Sequence, residues 1–274
     1  MGSSLSKQAL TGLLGLSRSA LYYAPKQPAK DWSLKCRIEV VLREHPSYGH
    51  RRLALALSVN RKRALRVMRL FSIHPYRRRG RKPHKKAART TQTYPNLLLV
   101  VCPAYPNHVW VADFTHLAWH GRWLYLATVM DLFTRRIVGW ALLTNHAVSL
   151  TLHALFSALL HEPRPAIFHS DNGSEYGAAV FTRVLVEIGT KISRSRPGCP
   201  WENGYQESFY AQFKVDLGDP NRFDSLGELV AEVHQTIHTY NHTRIHTALR
   251  MPPVVFADQQ RFRLLEKVSY VWGT

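Results

Sequence analysis

The run HVWVADFTHLAWHGRWLYLATVMDLFTRRIVGWALL, residues 108–143, decides how this chain folds. Three stretches rich in β-branched and aromatic residues lie within it: His108 to Trp119, Trp123 to Asp131 and Arg136 to Leu143. His120-Gly-Arg and Phe133-Thr-Arg-Arg separate them, so they read as consecutive strands of an antiparallel meander. Val109-Trp-Val-Ala is apolar at both parities, which predicts a central strand covered on both faces. Asp113 comes directly after it. A carboxylate in such a run is costly to bury unless a cation or a hydrogen-bond cage meets it.

Downstream, the pattern alternates. Val148 to Leu160 reads as a helix with Leu150, Leu152, Leu155, Phe156 and Leu159 inward. Ala166 to Ser170 reads as a short buried strand, Ala178 to Ile188 as a helix and Lys191 to Arg194 as another strand. The order βββαβαβ, continued by helices, describes an α/β domain with a mixed sheet covered on both faces, the order of the ribonuclease-H-like fold.

Asp171 ends the run Ala166-Ile-Phe-His-Ser as Asp113 ends its own. If the two strands are neighbours, their backbones lie about 4.8 Å apart and both aspartates can share one metal. A gap of 35 residues separates Asp171 from Glu207, in PWENGYQESFYAQFK (200–214). There Tyr205, Phe209, Phe213 and Leu217 form an i, i+4 row expected to pack on the sheet. Glu207 and Lys214 share the opposite face, which would put Lys214 within reach of a DNA phosphate two turns from the carboxylate. Taken singly, a turn aspartate or a solvent-face glutamate is ordinary; the joint placement is what points to chemistry.

Three hard oxygen donors without a Cys/His set suit Mg²⁺, with Mn²⁺ able to substitute, and not zinc. Two such ions roughly 4 Å apart can serve the attacking and the leaving oxygen of an in-line phosphoryl displacement. Water would free a 3′-OH, and that 3′-OH would attack a second DNA strand. Glu202 competes for the third place, but the spacing and the Glu-Ser-Phe context favour Glu207. Asp131 reads as a turn anchor. His169 either orients a scissile phosphate or hydrogen-bonds in the core. His234, His238, His242 and His246 are spaced by four, yet Asn241 and Thr243 predict that the helix ends before the row completes.

Charge divides the chain. Of a net +19, residues 1–100 carry 22 Lys+Arg against Asp31, Glu39 and Glu44, while residues 101–274 carry 15 of each sign. A basic module joined to a neutral one reads as a polyanion grip. Residues 1–30 resemble a helix-turn-helix, with Ser6 to Leu14, a break at Gly15 and a second helix capped by Ser17; Pro25 and Pro28 end it. Residues 31–73 predict three helices, 33–44, 50–57 and 61–71, the last capped by Asn60 and offering Arg61, Lys62, Arg63 and Arg66 to the DNA major groove. Residues 74–103 form a basic linker in which Arg77, Arg78, Arg79, Arg81 and Lys82 are expected to lie along phosphates. The catalytic core then spans 104–262, with a tail over 263–274. Cys36, Cys102 and Cys199 are too few and too scattered for a disulfide framework, which fits a reducing cytosol. No apolar run reaches the roughly 18 residues of a membrane span.

Together VWVADFTHL (109–117), IFHSDNGSEY (167–176) and GCPWENGYQESFYAQFK (198–214) resemble the DDE core shared by retroviral integrases and bacterial insertion-sequence transposases. YNHTRIHTALRMPP (240–253) is similar to the segment closing that core in insertion-sequence transposases whose second reading frame encodes the catalytic part. HPSYGHRRL (45–53) with NRKRALRVMRLF (60–71) resembles the helical domain before it. The resemblance covers roughly 36–258. It implies Asp113, Asp171 and Glu207 as ligands of two Mg²⁺ ions, Lys214 near DNA, and His169, Asn172 and Asn203 in support. It also implies double-stranded DNA as partner (element ends and target), a homo-oligomer holding two ends, and a bacterial cytoplasmic, nucleoid-associated location without membrane attachment. It leaves open an upstream-frame protein as a second partner. The alternatives are a transposase-derived repressor and a nuclease that only hydrolyses.

Overall fold

The computed structural model of the 274-residue chain describes residues 11–13, 15, 17, 19, 26–76, 94–196 and 199–272. Most of the expected unit over 1–30 falls outside these residues, as do Arg77, Arg78, Arg79, Arg81 and Lys82.

The basic third of the chain supplies three helices, α1 (Gln27–Glu44), α2 (His50–Ala56) and α3 (Arg61–Leu70). Pro28 stands in the first turn of α1 and starts this helix instead of ending the unit before it. A proline there gives up nothing, because first-turn N–H groups have no partner within the helix. Asn60 caps α3 by accepting the Lys62 N–H at 2.8 Å. Leu34, Ile38, Tyr48, Leu53, Val67 and Met68 close the small core. Ile245, far along the chain, packs against that core and donates its backbone N–H to the Tyr48 hydroxyl at 2.7 Å. The helical unit is therefore docked on the sheet-bearing part of the chain.

The meander forms as read: β1 (Val109–Trp119), β2 (Arg122–Asp131) and β3 (Ile137–Leu143) pair antiparallel in sequence. Next come α4 (Val148–Leu159), β4 (Ile167–Ser170), α5 (Ser174–Gly177), α6 (Ala179–Glu187), β5 (Lys191–Arg194), α7 (Gly204–Leu217), α8 (Leu226–His242) and α9 (Pro253–Trp272). The sheet order is β3-β2-β1-β4-β5, with β4 parallel to both β1 and β5. Alternation along β1 divides the interior in two. Trp110 and Ala112 join Leu150, Leu155, Phe181 and Leu185 beneath α4 and α6. Val109 and Val111 join Phe209, Phe213, Leu229 and Val233 beneath α7 and α8. This is the ribonuclease-H-like mixed α/β fold. No described helix is long and apolar enough to cross a membrane.

Four further expectations are corrected. Phe156 is 46% exposed: Ala154 and Ala158 face the sheet in its place. A Cβ on Gly139 of β3 would stand 2.4 Å from the Ala154 carbonyl, so this close approach admits only small residues. Tyr205 is also exposed, its ring carrying the Arg135 guanidinium at 4.2 Å. The linker ends sooner than residue 103. Leu97, Leu98 and Val101 pack on the core, and Pro95 accepts the Arg194 N–H. Finally, the expected core–tail boundary at 262/263 falls inside the single helix α9.

Candidate active site

Strands β1 and β4 lie side by side and parallel, with Val111 opposite His169. Asp113 and Asp171 each stand two residues beyond that pair, Asp113 in the middle of β1 and Asp171 just past the end of β4, so the expected strand-end position holds for Asp171 and not for Asp113. Asp113 accepts the Phe114 N–H at 2.8 Å, and its backbone carbonyl accepts the Tyr210 hydroxyl at 2.5 Å. Asp171 Oδ1 accepts the Gly173 N–H at 3.0 Å, closing a turn. A Cβ on Gly173 would stand 3.0 Å from both Asp171 Oδ1 and Glu175 Oε2, so the bare glycine lets that turn close around the carboxylate. Asn172 supports the turn from outside, donating to the Ser195 carbonyl at 2.8 Å.

Asp113 keeps an exposed edge but is otherwise enclosed by protein. Burial, then Asp171, then Glu207 push its carboxyl up to about 7, against the Phe114 N–H. Burial and Glu175 likewise raise Asp171, against the Gly173 N–H and Arg194. The Tyr176 hydroxyl beside them is buried without a hydrogen-bond partner. Desolvated like charges of this kind are relieved by a cation, and the donors are hard oxygens of the type Mg²⁺ or Mn²⁺ takes.

Helix α7 is fastened to the sheet by polar groups that the apolar pattern did not reveal. Gln206, fully buried, donates to the Val111 carbonyl at 2.7 Å and accepts from Thr128 Oγ1 at 3.1 Å. Thr128 Oγ1 also meets the Tyr210 hydroxyl at 2.8 Å. Gln206 and Tyr210 are four apart, a spacing legible in the sequence but overshadowed by the aromatic row beside it. Glu175 was missed as well; it holds His146 at 2.6 Å. Its signal was its place four residues after Asp171.

Glu207 is exposed on the first turn of α7. Among the described residues, no three Asp, Glu, His or Cys side chains gather closely enough to hold an ion. The two aspartates are brought together, and Glu207 acts on Asp113 through its charge. Like charges repel, and Glu207 has the longest and freest of the three side chains.

The other candidates separate clearly. His169 is fully buried, with Nδ1 on Ser193 Oγ at 2.9 Å and Nε2 unpartnered, and burial lowers its pKa to about 4. Asn203 is buried and reaches the Ala112 carbonyl at 3.4 Å. Glu202 is taken by Arg196 and Asn96, a structural role. Asp131 anchors its turn through Phe133, Thr134 N–H and the Thr134 hydroxyl. Lys214 borders a cleft of about 540 Å³ shared with Tyr76, His116 and Leu117. Arg61, Lys62 and Arg63 are exposed on α3. Arg66, exposed on the same helix, holds Asp31 through both of its Nη atoms. His246 lies beyond the end of α8, bridged to Met251, so the histidine row is broken as read.

An integrase core domain family model matches residues 103–200, and a second integrase core domain model matches 188–253. A 31 kDa protein of insertion element IS600 from Shigella sonnei is 33% identical over 263 residues, 90% of this chain and 97% of that protein. The transposase for insertion sequence element IS904 from Lactococcus lactis is 32% identical over 234 residues, 82% of this chain and 92% of that protein. Among solved structures, the HTLV-2 integrase catalytic core domain in complex with magnesium aligns with 56% of this chain and 97% of that chain, at 18% identity and a TM-score of 0.47.

Proposed function

The chain belongs to the insertion-sequence transposases built on an integrase core domain, and on that premise we propose that Asp113, Asp171 and Glu207 are its catalytic carboxylates. It acts in DNA transposition as a polynucleotidyl transferase. The observation that carries the proposal is the Asp113–Asp171 pair, two crowded carboxylates set side by side where the pairing of two adjacent parallel strands runs out. Bound there, Mg²⁺ or Mn²⁺ supplies the positive charge that steadies the attacking and leaving oxygens of a phosphodiester.

The chain's own groups do the positioning. Asp113 and Asp171 form the fixed part of the ligand set, each held by a backbone N–H. Glu207 completes it by turning inward from the first turn of α7. Tyr210 and Gln206 fix the strand that carries Asp113, and Lys214 steadies a DNA phosphate on the same helix. Water as nucleophile leaves a 3′-OH at the element end, and that 3′-OH then attacks target DNA. Holding two ends at once calls for more than one copy of the chain.

Asp113→Asn and Glu207→Gln are expected to abolish end cleavage and strand transfer in Mg²⁺ while DNA binding persists. Wild-type activity in both variants would remove the assignment.

A further inference from the structure

A cationic site lies on another flank of α7. At 100° per residue, Ser208 and Gln212 fall roughly 100–140° around that helix from Glu207. Together with Arg52 of α2, Arg135 of the β2–β3 turn, Arg244 and His246, they line a cavity of about 70 Å³. Three guanidiniums from distant parts of the chain thus meet at the joint between the helical unit and the core.

Only one of them forms an ion pair, with Asp216, whose charge also acts on Arg52. Arg244, 3% exposed, is paired with Asp216 and donates to Ser47 Oγ at 3.1 Å. Among the described residues, no ion pair forms on Arg52 or Arg135; they rest over the rings of Tyr48 and Tyr205. Arg52 reaches Gln212 Oε1 through one Nη at a long 3.5 Å. Arg52 Nε, Arg135 Nη1 and His246 Nδ1 are buried without a hydrogen-bond partner. Burial and then Arg244 lower the Arg52 pKa. Burial and then Arg135, Arg52 and Arg244 lower that of His246 to about 4. Arg135 is brought there at a conformational cost, since its φ of 64° lies in the left-handed region.

Buried guanidinium donors without acceptors are costly, and an anion rich in acceptors satisfies those of Arg52 and Arg135 at once. A cavity of this size admits a few water molecules, which suits one tetrahedral oxyanion and excludes a nucleoside. We propose that it is a phosphate pocket, clamping one backbone phosphate of duplex DNA between the helical unit and the core. Its assignment to a DNA phosphate and not to free phosphate rests on the transposase reading; the pocket itself does not.

The test uses the full chain, inorganic phosphate against chloride at matched ionic strength, and two duplexes, one with an element end and one unrelated. The variants are Arg135→Gln and Ser208→Asp; the second adds an acid at the mouth without removing packing. Phosphate is expected to raise the melting temperature of the wild type and of neither variant. The slope of log K against log salt is expected to shrink by about 0.9 in each variant, equally for both duplexes. If phosphate protects but the slope stays, a free phosphate compound is the ligand and the DNA assignment is overturned. If neither readout moves in folded Ser208→Asp, the pocket is overturned. A wild type that binds neither duplex overturns the DNA assignment together with the transposase reading, and phosphate protection then still reports on the pocket.

Discussion

The Tyr210 hydroxyl donates to the backbone carbonyl of Asp113 at 2.5 Å, which ties the helix bearing Glu207 to the strand bearing the first aspartate. The same hydroxyl meets Thr128 Oγ1 on β2, so one phenol holds three elements in register. Asp113 is thus placed through its backbone carbonyl.

Tyr210→Phe keeps the ring and removes the tie. The loss of a buried hydroxyl is expected to cost about 1–2 kcal/mol in urea denaturation. Strand transfer should fall with it, while DNA affinity stays. A variant with unchanged turnover would show that Asp113 needs no such support.

Gly173→Ala tests the turn around Asp171. Gly173 has φ of −56°, which alanine adopts freely, so any effect comes from the methyl group 3.0 Å from Asp171 Oδ1 and Glu175 Oε2. The variant should keep its melting temperature and require more Mg²⁺ for half-maximal cleavage. Titration of activity against Mg²⁺ reads this directly.

Asp216→Asn addresses how the helical unit is docked. Asp216 holds Arg244 and accepts from Ser47 at 3.1 Å. Leaving that guanidinium unanswered is expected to cost about 2–3 kcal/mol, somewhat below a fully buried pair because Asp216 is partly exposed. Limited proteolysis should then cut between the helical unit and the core faster than in the wild type.

Acid should loosen the edge of the core at Glu162. Burial alone would raise its pKa, but Asn107, Arg136 and Arg261 together hold it below its ordinary 4.5. A depressed carboxyl contributes stability that is fully present above 4.5 and is lost as pH falls through the lower folded value. Glu162→Gln should lower stability by about 1–3 kcal/mol at neutral pH and flatten its decline below pH 4.5. Thermal melts across that range check both expectations.

Much of the fold was legible in local pattern. A short run apolar at both parities and rich in β-branched and aromatic residues fits a buried strand, so β1, β4 and the aspartates that follow those runs can be read from a few residues each. The row Phe209, Phe213 and Leu217 likewise committed α7 to the sheet, with Glu207 on its free side. The same logic failed at Phe156 and Tyr205, where neighbours distant in sequence took the buried place: Ala154 against Gly139, and Arg135 over the tyrosine ring.

Residue pattern alone established the succession of strands, the buried aspartates and the charge split between a basic module and a neutral core, because each depends on neighbours a few positions apart. The folded chain decided the rest. It set Asp113 beside Asp171, gave Arg66 to Asp31, hid His169 in the core, and drew Arg52, Arg135 and Arg244 to one cavity. Those outcomes rest on polar partners that lie from tens to nearly two hundred residues apart. Hydrophobic periodicity carries no trace of such pairings, since a charged side chain reads the same in sequence whether it faces water, a carboxylate or another arginine.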